Sequence, residues 1–227
     1  MSAPLLWIII PIALGLLSLM LVSEHATAMA GGILALALAA LALIVPIDEA
    51  LLIGPLSIKL ASSFSILGRS MVLPAAAAPL LALVFGACAL WFFGAEAAGV
   101  AARLVPLGLI ITGLLVAAIA VQPFLFASLL IETAVLVAVP LLSEPGRKPG
   151  QSILRFLIYQ TLGMPFILLA GWLLAGVEAS PGDLSFTVQS TVMLGLGFAF
   201  LLPIFPLSNW IPPLLEDSSP YVAGFLI

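Results

Sequence analysis

Seven stretches of this chain are apolar for about the length of a membrane crossing, at 5–22, 27–45, 71–93, 104–121, 124–142, 153–174 and 188–205. A hydrocarbon core of about 30 Å needs about 20 residues of helix. Composition agrees, with 64% of residues hydrophobic, 7% charged and a mean hydropathy of +1.37. A soluble domain needs far more charge on its surface. The expected fold is all-α: a polytopic transmembrane helical bundle of about seven spans plus the start of an eighth, in one domain over residues 1–227.

The runs differ in what bounds them. Residues 5–22 lack the basic flank of a signal peptide and a second span follows closely, so they read as a retained helix. In the second span Gly31 and Gly32 allow close packing to a neighbour. Residues 46–70 carry Asp48, Glu49, Lys59 and Arg69, and Gly54-Pro55 separates two short β-compatible runs. An extramembrane β-hairpin is expected there. Gln122-Pro123 predicts a tight turn into the fifth span, and 143–150 is the clearest break in the chain. The last residues, Tyr221–Ile227, resemble the first turns of an unfinished helix. Basic residues in short loops place Arg103, Arg147, Lys148 and Arg155 on one side and Lys59 and Arg69 on the other. This bias predicts the amino terminus outside and the Arg147-Lys148 loop in the cytoplasm.

One carboxylate stands out. Glu132 lies in the middle of the apolar run Ala127–Leu142. A charge at that depth costs several kcal/mol, so an acid kept there marks a partner, a wet cavity or a proton path. The functional reading is a proton-accepting group. The plainer one is a buried, protonated carboxyl hydrogen-bonded across a helix interface to a Ser or Thr. Arg155, near the start of the sixth span, is either a snorkelling cation or an ion partner for Glu132 or for an acid on a neighbouring subunit. In a hairpin of spans five and six the two differ by roughly 7 Å in depth, so a water-mediated link is expected over a direct bridge. Tyr159 and Gln160 either line the same polar seam or simply bond between helices. Pro165 predicts a kink. His25, beside Glu24 in a loop, reads as a solvated side chain, with a metal or proton-entry role the lesser alternative. Gly195-x-Gly197 reads as packing, not a nucleotide fingerprint. No cofactor or metal ligand set is expected. Cys88 cannot form an internal disulfide, since it is the chain's one cysteine. A net charge of −4 without a basic cluster argues against nucleic acid.

The segment Gly197–Phe225 is the most specific. With Pro206, Trp210 and Pro212 in its turn, it resembles the antiporter-like, proton-conducting subunits of respiratory complex I, membrane-bound hydrogenases and multi-subunit sodium/proton antiporters. In that family a seventh helix runs into a Pro-Phe-His-x-Trp-x-Pro-Asp turn. The resemblance places Glu132 at the glutamate of the family's fifth helix, and Ile153-Leu-Arg-Phe-Leu at the opening of its sixth. It implies a membrane-arm subunit of a complex I-like NADH-quinone oxidoreductase or related assembly. Glu132, Arg155 and Tyr159 would then carry proton translocation, without a redox centre in this chain. It also implies membrane subunit partners, above all a chain supplying the second antiporter repeat, and a prokaryotic inner (plasma) membrane.

This sequence departs from the family at three places. Leu201 stands where the family has its seventh-helix lysine, Ser208 where it has histidine, and Pro213 where it has aspartate. The resemblance covers about half of a full family member. A split subunit, a degenerate subunit and a fragment of a longer chain remain open. A half-antiporter subunit needing neighbours is favoured, because a helix end stranded in lipid leaves carbonyls unsatisfied. The competing readings are a structural, non-pumping subunit, favoured by Leu201, and an unrelated small-solute transporter, disfavoured by the lack of a second repeat.

Overall fold

Pro46 and Pro74 mark where the chain leaves and re-enters its helices. Val45 precedes a proline and is extended (φ −99°, ψ 110°), which ends the second helix. Pro74 is extended too (φ −70°, ψ 162°), and a helix starts at the next residue. The computed structural model describes residues 2–20, 23–53, 56–66, 68–143, 150–179, 184–202 and 204–227. The expected Gly54-Pro55 turn, the Arg147-Lys148 loop with the orientation drawn from it, and Leu21-Val22 lie outside the described residues. The chain forms an all-α membrane bundle with short β-hairpins. Its contacts divide it into two compact units, residues 1–120 and 121–227.

The first unit holds a π-helical turn (Leu5–Ile9), α1 (Ile10–Ser18), α2 (Glu24–Ile44), β1 (Ala50–Ile53), β2 (Leu56–Lys59), β3 (Ser63–Ile66), β4 (Arg69–Val72), α3 (Ala78–Ala95) and α4 (Ala101–Ala120). Ser23 caps α2 by accepting the Ala26 N–H at 3.3 Å, and Glu24 places its charge in the first turn. α2 packs on α3 and α4, and α1 on α4. Gly31 abuts Val105 of α4, and Gly32 faces the Phe93 ring of α3. Across these faces the buried Trp7 indole N–H donates to the Leu38 carbonyl at 3.0 Å, and Cys88 Sγ meets Thr112 Oγ1 at 3.3 Å.

Outside the helices β1 pairs antiparallel with β2, and β3 with β4. A second hairpin therefore follows the expected one, and Met71 and Val72 belong to β4, not to the third span. Gly68 takes the left-handed conformation (φ 73°) at the β3–β4 turn, which a side chain would strain. Asp48 is left-handed as well (φ 67°). Its N–H donates to the Leu60 carbonyl at 2.7 Å and its carboxylate accepts the Ser62 N–H at 2.9 Å, so the residue clasps both sides of the junction between hairpins. Ala3 adds an N–H to the Ala61 carbonyl at 2.8 Å.

The second unit begins with a cis Gln122–Pro123 peptide and a 3-10 turn (Phe124–Phe126). It continues through α5 (Ala127–Leu142), α6 (Gln151–Ala179), α7 (Leu184–Leu201), a 3-10 turn (Leu207–Trp210), α8 (Ile211–Asp217) and α9 (Pro220–Leu226). α6 is the hub: α5, α7, α8 and the Phe124–Phe126 turn all pack on it. Glycines set these approaches. A Cβ at Gly171 would lie 2.7 Å from the Leu125 backbone, one at Gly163 2.9 Å from the Gly197 carbonyl, and one at Gly197 2.6 Å from Ile167. Gly195 faces open space, so of the Gly-x-Gly pair only Gly197 packs.

Among the described residues six helices are long and apolar enough to cross a membrane: Glu24–Ile44, Ala75–Ala95, Ala101–Ala120, Phe124–Leu142, Gln151–Val177 and Leu184–Leu201. This is an integral membrane protein by the length and apolarity of those helices. The helix in the first expected span is the shorter Leu5–Ser18.

Two outcomes follow from these contacts. A methyl group at Gly31 meets Val105, a stiff β-branched side chain that is fully buried. Gly31→Ala should therefore lower stability by about 1–3 kcal/mol, outweighing the gain of up to ~1 kcal/mol in helix propensity. Gly86→Ala, with nothing within 4 Å, should instead gain. Unfolding of both variants in detergent checks this. The second outcome concerns pH. Hydrogen bonds from Ser62, side chain first and then backbone, hold the Asp48 carboxyl below its ordinary value of 3.8, with a smaller contribution from Lys59. The clasp is then intact above that value and lost as pH falls through the lowered one. Protection of the Ser62 amide relative to its intrinsic exchange rate should fall there, and in Asp48→Asn that protection should no longer change through this range.

Candidate functional site

Glu132 sits in the second turn of α5, half-buried on the side that meets α6. Its Oε1 accepts a hydrogen bond from the Thr161 hydroxyl of α6 at 2.9 Å. Its Oε2 is buried and has no partner among the described residues. An unpartnered carboxyl oxygen inside a membrane-spanning helix is a costly arrangement that water or a transferable proton would relieve.

The other predicted site residues fall around α6. Arg155 is exposed and forms no ion pair with Glu132 among the described residues. It lies six residues before Thr161, about 9 Å along the axis. Tyr159 points the other way, about 200° around the helix from Thr161, and its ring tilts against Phe200 of α7 at 6.4 Å. Phe200 in turn stacks on Phe166 at 5.7 Å. Gln160 is buried and donates to the Leu201 carbonyl at 3.2 Å. The position that carries lysine in the resembled family is thus an apolar side chain whose backbone oxygen is taken up by Gln160. Pro165 lies within α6 and Pro140 within α5.

The turn residues fall at the α7–α8 junction. Phe205–Pro206 is cis, Trp210 is buried with its ring edge-on to Phe156 at 5.4 Å, and Pro212 opens α8. Trp210 Nε1 and Ser152 Oγ are further buried polar atoms without a partner among the described residues.

Thr161 is the partner that the plainer reading of Glu132 expects by type, a Ser or Thr across the interface, without naming its position. Its one signal is depth. Glu132 lies eleven residues before Ser143 and Thr161 eleven after Gly150, so a symmetric hairpin across that break brings them level. The type of residue at 161 carries no mark of its own.

In the first unit His25 does have a partner. Its Nδ1 lies 2.9 Å from Glu96 Oε2 and 3.0 Å from Oε1. Glu24 accepts the Ala102 N–H at 3.0 Å, capping the start of α4. Both His25 and Glu96 are exposed, so the pair adds little to stability. An apolar cleft of about 290 Å³ among Leu14, Leu17, Leu34 and Leu109 has no titratable side chain in its lining.

No protein-family model matches this chain, and no curated protein matches it. The candidate site therefore rests on its geometry.

The Gln160–Leu201 bond is testable by itself. Gln160→Leu removes an interhelical hydrogen bond within the bilayer, and such bonds average about 0.6 kcal/mol. A loss of about that size in unfolding free energy is expected, without a change in helix content by circular dichroism.

Proposed function

We propose that this chain is a membrane-arm subunit of a complex I-like NADH-quinone oxidoreductase, or of a related hydrogenase or antiporter assembly. In it Glu132 is the centre of a proton-translocation half-channel. The observation that carries this reading is the buried, unpartnered Glu132 Oε2 on a membrane-spanning helix. One oxygen anchored and one free is the arrangement a proton-exchanging group needs. The resemblance of the Pro206–Pro212 turn to the antiporter-like family points the same way.

In this role the chain transfers no electrons. It works beside other membrane subunits, including a chain that carries the second antiporter repeat, in a prokaryotic inner membrane. In this reading Arg155, exposed near the start of α6, pairs with an acid on a neighbouring subunit. Tyr159 contributes by packing α7 onto α6, and not by touching Glu132.

One observation favours a second reading, a structural subunit of the same kind of assembly. Among the described residues the site has no lysine partner: Leu201 is apolar and its carbonyl is occupied by Gln160. Replacement of Glu132 by Gln separates the two. In inverted membrane vesicles from cells carrying Glu132→Gln, with assembly of the complex confirmed, coupled proton pumping should fall to the level of an uncoupled control. Pumping at the unmodified rate would overturn the proton-channel reading and leave the structural one.

A further inference from the structure

Threonine in a membrane helix ordinarily donates its hydroxyl proton to the carbonyl four residues back. Three threonines of this chain do so: Thr27 to Ser23 at 2.8 Å, Thr133 to Leu129 at 2.7 Å and Thr191 to Thr187 at 2.9 Å. Thr161 does not. Its hydroxyl crosses from α6 to α5 and donates to Glu132 Oε1 at 2.9 Å. A hydroxyl has a single proton to give, so this bond is made in place of the local one.

The consequence lies in how a carboxyl handles a proton. In the protonated form one oxygen is an acceptor and the other carries the O–H. The Thr161 bond marks Oε1 as the acceptor. The buried Oε2 is then the oxygen left to carry the proton. Pro165 adds a further feature at the same residue. It has no N–H, so it cannot donate to the Thr161 carbonyl four residues earlier, and α6 is open at this turn. An open carbonyl within the bilayer needs a side chain or a water.

We infer that Thr161 is a positioning residue for proton exchange at Glu132: its hydroxyl fixes the carboxyl through Oε1 and leaves Oε2 as the atom at which the proton loads and leaves. The inference rests on the proton-channel reading of Glu132. The titratable groups on the helices packed against α5 are Arg155, Tyr159 and Glu178 of α6 and Tyr221 of α9; Arg155 makes no ion pair with Glu132 and Tyr159 faces Phe200, while Glu178 lies 17 residues, about 26 Å of helix, beyond Thr161. Thr161 is then the one described side chain that orders the carboxyl by a hydrogen bond.

The test is infrared difference spectroscopy on the assembled complex in its native membrane, combined with the pH profile of pumping. The band lost in Glu132→Gln identifies the Glu132 carboxyl. In Thr161→Val that band should move to higher frequency as its carbonyl loses a donor, and the midpoint of the pumping profile should move by about one pH unit, the scale of one hydrogen bond to a carboxyl. Thr161→Ser, which keeps the hydroxyl, should restore both. Thr161→Ala serves if the valine variant does not assemble. An unmoved band and profile in a variant lacking the hydroxyl would overturn the role of Thr161 while leaving Glu132 in place. Pumping that survives Glu132→Gln would overturn both readings at once.

Discussion

Inside a bilayer no water is available to backbone N–H and C=O groups, and each must be satisfied by the chain itself. The rest of this structure follows from that constraint. Regular helices run through the apolar stretches, because a helix closes its own hydrogen bonds. Extended chain occurs where the sequence turns polar, at 50–72, and there it pairs into hairpins. Polar side chains in the spans mostly serve the backbone. Thr27, Ser128, Thr133, Ser190 and Thr191 all donate to nearby carbonyls. Among the described residues the polar side chains that bond between helices are fewer: Trp7, Cys88 and Thr112 in the first unit, and Gln160, Thr161 and Glu132 in the second.

The helices come together without a hydrophobic drive between them, since lipid is as apolar as their side chains. Close contact must come from shape. In the second unit Gly163, Gly171 and Gly197 remove the side chains that would hold α6 away from α7 and from the Phe124–Phe126 turn. In the first unit Gly15, Gly31 and Gly113 do the same for α1, α2 and α4. This packing sets the level at which α5 meets α6. The meeting of Glu132 with Thr161 is thus a product of backbone approach, not of attraction between the two side chains.

Much of the fold was legible in the sequence because a membrane span is a long, one-sided signal. Hairpins are shorter and more easily masked. Ser63-Phe-Ser-Ile alternates as a strand should, but its partner Arg69–Val72 runs directly into the third apolar stretch, which hid the second hairpin. Pro74 was the signal that could have separated strand from helix. Glu132 stood out as a candidate because an acid is conspicuous among leucines and valines. Thr161 did not, because a threonine in a membrane helix is unremarkable unless its depth is matched across the hairpin. Arg155 makes no direct ion pair with Glu132 among the described residues, in keeping with the difference in depth that the sequence implies.

Consecutive residues of α6 decide how the site differs from one built on a glutamate and a lysine. Gln160 and Thr161 are separated by about 100° around the helix, so one reaches α7 and the other α5. A lysine on α7 would act on the carboxyl by charge, and at low dielectric that influence is strong and reaches several ångströms. Neutral amides and hydroxyls act only at contact, and each is worth about 1 kcal/mol or less in a membrane. Among the described residues no cation pairs with Glu132, so the proposed site as described does not drive a proton off it. It can hold the carboxyl in one orientation and leave one oxygen free. The charge that moves the proton would then come from outside the described helices, either from the adjoining subunit or from the bulk phase. On this view Leu201 is consistent with a half-channel whose driving cation has been delegated to a partner, and α6 supplies the geometry.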